Sequence, residues 1–131
     1  MHKGSCLCGA VEYEIGGELG PVVYCHCSRC RKSNGSAFAA VSPVASKEFR
    51  IVKGRESLRT YSNGAGFHRE FCGNCGSPII TRRDSQPEVV RLRIGTLDTP
   101  VGSKVSAHIF VGSKAEWDDI LDDAPQYPER P

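Results

Sequence analysis

The run Gly4-Ser5-Cys6-Leu7-Cys8-Gly9-Ala10-Val11-Glu12-Tyr13-Glu14-Ile15 holds, in one short stretch, the two patterns that organise the rest of the chain. Its second half alternates. Val11, Tyr13 and Ile15 are apolar while Glu12 and Glu14 are acidic, the period of a strand with one buried face. Its first half places Cys6 and Cys8 at i and i+2, so that both thiols leave an extended backbone on the same side and can share one ion. Val90-Arg91-Leu92-Arg93-Ile94 repeats the alternation with its arginines expected outside. Shorter strands are expected over 22–24, 37–41, 49–52, 58–61, 67–71, 79–82 and 105–111. Turn chemistry at Gly16-Gly17, Asn34-Gly35, Lys53-Gly54, Asn63-Gly64 and Asp98-Thr99-Pro100 separates them. The expectation is a mainly β fold of short antiparallel strands.

One short helix is expected, near the C-terminus. Ser113 and Glu116 have the spacing of a capping box, Trp117, Ile120 and Leu121 fall on one face, and Pro125 ends the run. The tail from Gln126 to Pro131 reads as loosely ordered. With 131 residues, 39% of them hydrophobic, and no repeat or dividing linker, the chain is read as a single domain over 1–131.

Charge excludes little beyond a general nucleic-acid binder. Lys+Arg 17 against Asp+Glu 15 leaves a formal net charge of +2, which counts against a nucleic-acid partner. No apolar run approaches the roughly 18 residues of a membrane-spanning helix. The cysteine count says more: seven thiols cannot all pair internally, and the start of the sequence shows no apolar leader. A cytoplasmic location is expected, where clustered cysteines more often bind metal or do redox chemistry than crosslink.

The cysteines fall into three groups, Cys6/Cys8, Cys25/Cys27/Cys30 and Cys72/Cys75. The simplest partition joins the two pairs into a closed four-sulfur set of structural type and leaves Cys25, Cys27 and Cys30 as a claw of three. Zinc suits soft thiolates in tetrahedral array, and iron satisfies the same ligands. Cys72-Gly73-Asn74-Cys75 also has the spacing of a redox motif but lacks the βαβ setting such a motif needs. The claw can be completed as a second structural site by a histidine or carboxylate, or it can stay open. His26 is poorly placed for this, because the middle side chain of an extended Cys-x-Cys points away from its neighbours. His68 and His108 lie in strand-like segments, where hydrogen-bonded burial is the ordinary role.

An open three-thiolate zinc would carry net negative charge, which makes it a weak activator of water and a better partner for a thiol. The nucleophile would then belong to the substrate. Arg29, Arg31 and Lys32 lie on the claw; they either offset thiolate charge or hold the carboxylates of an anionic thiol such as glutathione.

At Gly4 to Tyr13, Cys25 to Lys32, Arg69 to Pro78 and His108 to Trp117 the sequence resembles the glutathione-dependent formaldehyde-activating enzyme family. The resemblance extends to centromere protein V, a chromatin-associated relative. It implies a β-tent fold and about two zinc ions per chain. One is structural, on the positions matching Cys6, Cys8, Cys72 and Cys75. The other is catalytic, on those matching Cys25, Cys27 and Cys30. The implied activity is that of a carbon-sulfur lyase, joining glutathione and formaldehyde into S-(hydroxymethyl)glutathione or cleaving the adduct. A non-catalytic binding module and a metal- or thiol-handling protein are the competing readings.

Overall fold

The structure, a computed structural model, describes the chain from Met1 to Pro131. Its strands are β1 (His2–Ser5), β2 (Glu12–Ile15), β3 (Val22–Cys25), β4 (Ala39–Ala45), β5 (Phe49–Lys53), β6 (Leu58–Ser62), β7 (Phe67–Cys72), β8 (Pro78–Arg83), β9 (Val89–Arg93) and β10 (Val105–Ile109). The single α-helix, α1, spans Ser28–Asn34, and no helix is long and apolar enough to cross a membrane. The fold is mainly β, as the alternation predicts. By contact density the chain divides into two compact units, Met1–Gly20 with Ser42–Gly102, and Pro21–Val41 with Ser103–Pro131.

In the first unit, β1, β2 and β5 form an antiparallel sheet in that order, and β9, β8, β7 and β6 form an antiparallel run. The alternation in β2 translates directly into packing. Tyr13 and Ile15 are 1% and 0% exposed, while Glu14 and Glu12 meet Arg50 and Lys53 of β5 at 2.7 and 3.3 Å. The core gathers Val11, Tyr13, Ile15, Ile79, Val90 and Leu92 around the buried Cys6 and Cys72. Each large apolar side chain buried there contributes about 1.5–3 kcal/mol. In β9 the expectation fails at one residue. Arg93 is buried with a polar partner for its guanidinium, Nη1 donating to Thr81 Oγ1 at 3.4 Å.

In the second unit β3 pairs in parallel with β10 and antiparallel with the first residues of β4. The helix expected at 113–124 is absent: a 3-10 turn covers Val111–Ser113, and turns and bends follow. A helix that short needs an apolar face to bury, whereas Trp117 and Leu121 are 68% and 91% exposed. Local polar bonds hold the segment in turns instead. Lys114 Nζ donates to the carbonyls of Ala115 and Asp118, and the Asp122 carboxylate accepts from the Ala124 N–H. The tail is also better ordered than its composition suggests, because Tyr127 N donates to His108 O at 2.9 Å and Phe110 N to Glu129 O at 2.9 Å.

Candidate metal centres

The first centre lies wholly in the first unit. Cys6 follows β1, Cys72 ends β7, and the chain turns back on itself after each pair: Gly9 N donates to Cys6 O at 3.1 Å and Gly76 N to Cys72 O at 2.8 Å. Both glycines have positive φ, 78° and 83°, which other residues adopt with strain. The four sulfurs of Cys6, Cys8, Cys72 and Cys75 lie within 4.8 Å of one another. Their surroundings prepare them for a cation. Val11 N–H donates to Cys6 Sγ at 3.2 Å, Asn74 N–H to Cys72 Sγ at 3.4 Å, and Asn74 Nδ2 to Cys8 Sγ at 3.1 Å. The Asn74 amide holds the Cys8 thiol below its ordinary range, and Ser77 pushes Cys75 down to about 5. Burial raises Cys72.

The second centre lies wholly in the second unit, where β3 hands over to α1. Cys25 is the last residue of β3, Cys27 is the N-cap of α1, and Cys30 occupies its first turn. The cap explains the helix: Cys27 Sγ accepts the Cys30 N–H at 3.3 Å, and Gly35, at φ 63°, closes the far end by donating to Arg31 O at 2.8 Å. The sequence carries no clear signal of this helix. Cysteine is not among the usual caps, and Asn34-Gly35 reads equally well as a hairpin turn. The three sulfurs again lie within 4.8 Å of one another. Hydrogen bonds from the Cys25 and Cys30 thiols push Cys27 down to about 2, and the same sharing drives Cys25 up. The claw thus favours the ionised form at Cys27 over Cys25.

The remaining expected residues are placed as follows. Arg29 and Lys32, three positions apart on α1, are exposed; Arg31 is half-buried, with Nε enclosed and without a partner. His26 is fully buried and its ring bonds to His108, in keeping with its exclusion from the sulfur set. His68 bonds to Ser62 and Asp84. Asp122, which contacts His108, carried no sequence signal. Only the turn that brings it back against β10 reveals it.

The donor sets can be tested against zinc. A tetrahedron with Zn–S bonds of about 2.3 Å has S–S edges of about 3.8 Å. In the first centre Cys6–Cys8 and Cys8–Cys72 are 3.6 and 3.9 Å apart, and none of the seven cysteines is in a disulfide. The residues fit a zinc ion at the first centre, and the three sulfurs of the second could hold a metal ion as well.

The chain is similar in sequence and fold to known proteins. A protein of Halomonas elongata, provisionally named a glutathione-dependent formaldehyde-activating enzyme, is 27% identical over 131 residues, spanning 92% of this chain and 81% of the relative. One of Colletotrichum graminicola with the same name is 30% identical over 77 residues, 59% of this chain and 40% of that protein. A crystal structure of a Rhodobacter sphaeroides protein superposes with a TM-score of 0.64 at 28% identity, covering 95% of this chain and 98% of that one. The sequence profile of the glutathione-dependent formaldehyde-activating enzymes matches residues 1–113, and the chain belongs to that family.

Proposed function

We propose that the chain is a zinc-dependent enzyme of carbon-sulfur lyase type that joins or cleaves a thiol such as glutathione and a small aldehyde such as formaldehyde. The observation that carries this reading is the asymmetry between the centres: four sulfurs gathered in one and three in the other. Cys6, Cys8, Cys72 and Cys75 would hold a structural zinc; Cys25, Cys27 and Cys30 would hold a catalytic one. A zinc ion at the second centre supplies a Lewis-acidic position at which a thiol ionises near neutral pH.

The chain's own residues set the conditions for that chemistry. Hydrogen bonds from its neighbours favour the ionised form of Cys27, which is partly exposed, while Cys25 and Cys30 are buried at 7% exposed. The cap on α1 fixes Cys27 and Cys30 relative to one another. Arg29 and Lys32, exposed on the same helix, can receive substrate carboxylates. In the joining direction a C–S bond forms between the thiol sulfur and the carbonyl carbon. The carbonyl π electrons pass to oxygen, which takes up one proton for the one the thiol has lost.

Purified protein is expected to hold two zinc ions and to accelerate exchange between formaldehyde and its glutathione adduct above the uncatalysed rate. Cys27→Ser is expected to lose the second zinc and the activity while staying folded. No acceleration with both ions bound would overturn the substrate reading. Unfolding of Cys27→Ser would mark the second centre as structural.

A further inference from the structure

In sequence His26 stands between two cysteines of the second centre, and its ring is committed elsewhere. Its Nε2 lies 2.9 Å from Nδ1 of His108 in β10, and the two residues are 0% and 2% exposed. His108 Nε2 in turn lies 3.0 Å from both carboxylate oxygens of Asp122. The rings of Phe38 and Tyr24 flank the pair, 5.3 Å from His26 and 5.4 Å from His108. A carboxylate can only accept, so His108 Nε2–H donates to it. In the tautomer that this bond selects, the proton sits on Nε2 and His108 Nδ1 accepts from His26 Nε2–H. The polarity of the whole chain is therefore set by the half-exposed carboxylate at its outer end. The backbone of His26 is tethered to the same region, its N–H donating to Ile109 O at 2.9 Å.

A pair of apolar side chains would fill this space without the cost of desolvating imidazole nitrogens. What the imidazoles add is direction. We propose that Asp122 and His108 are positioning residues for the second centre: the chain Asp122–His108–His26 fixes His26 and, through the peptide bond on each side, the spacing and aim of the Cys25 and Cys27 sulfurs. This rests on reading that centre as a metal site.

The test uses the full chain loaded with cobalt(II), whose bands report thiolate coordination, with chelator competition for affinity. The bands of the second centre are those lost in Cys27→Ser. Asp122→Ala is expected to weaken cobalt at the second centre by about tenfold to a hundredfold and to shift its bands, leaving the first centre as it was. Asp122→Asn keeps an oxygen that accepts from both His108 and Ala124 and should restore wild-type affinity and bands. His108→Asn keeps an acceptor for His26 but cannot reach Asp122, so it should match Asp122→Ala; the double variant should lose no more than either alone. If His108→Asn does not fold, the two Asp122 variants decide the matter. Wild-type affinity and bands in Asp122→Ala, or equal weakening of both centres, would overturn the positioning role. A wild-type chain that takes up a single cobalt would overturn the metal reading beneath it.

Discussion

Gly54 shows how little room single residues have around these centres. It sits at φ 80°, and a Cβ there would lie 1.8 Å from the Ala10 carbonyl oxygen, backbone that follows directly on the Cys6/Cys8 turn. Gly54→Ala should lower stability by roughly 2–3 kcal/mol in urea unfolding, from left-handed strain and overpacking together. Asn74 acts on chemistry rather than shape. Its amide is the largest influence holding the Cys8 thiol down, so Asn74→Ala should let Cys8 rise toward its ordinary range. Protons then compete better for that sulfur, and the first zinc should be released at a higher pH in a titration followed by a zinc-sensitive dye. Neither role is visible in the sequence, which shows a glycine in a turn and an asparagine inside a knuckle.

The elements that read well are those whose periodicity is also their packing. β2 is legible because Tyr13 and Ile15 are buried and its acids are paired outside. Two elements are not. α1 is capped by the sulfur of Cys27, and an apolar stripe is missing because Cys30 is its one buried residue. The segment after Ser113 has a helix-like stripe, but nothing covers it, so local polar bonds decide its course. Cys27 therefore has two duties, cap and ligand, which substitutions can separate. Serine is a favoured cap, so with both proteins stripped of metal Cys27→Ser should melt near the wild type. Cys27→Ala should lose about 1 kcal/mol more. The ionised state of Cys27 adds a further expectation. Because its thiol is pushed down to about 2, it binds no proton at pH 7, so metal uptake by the three sulfurs should release fewer than three protons per ion. Calorimetry in buffers of different ionisation enthalpy reads that number. Release of all three would mean that Cys27 starts protonated.

For the molecule as a whole, the cysteine groups were the most legible feature, since their sorting into four and three is the sorting that the fold produces. The partners of the histidines were the least legible, because His108 meets Asp122 through a turn that the sequence disguises as a helix. The first centre ties the segment after β1 to the turn between β7 and β8, and Cys6 and Cys72 are part of the apolar core. Removing its metal with a strong chelator should raise hydrogen exchange across Met1–Gly20 and Ser42–Gly102. Cys72→Ser should destabilise the chain well beyond Cys27→Ser. The measurement that bears most directly on the central claim is X-ray absorption at the zinc edge of the two-zinc protein, with and without glutathione. The account predicts that one zinc sees four sulfurs throughout, while the other exchanges a light fourth neighbour for sulfur when glutathione is added. An unchanged second zinc, completed by protein in both states, would contradict it.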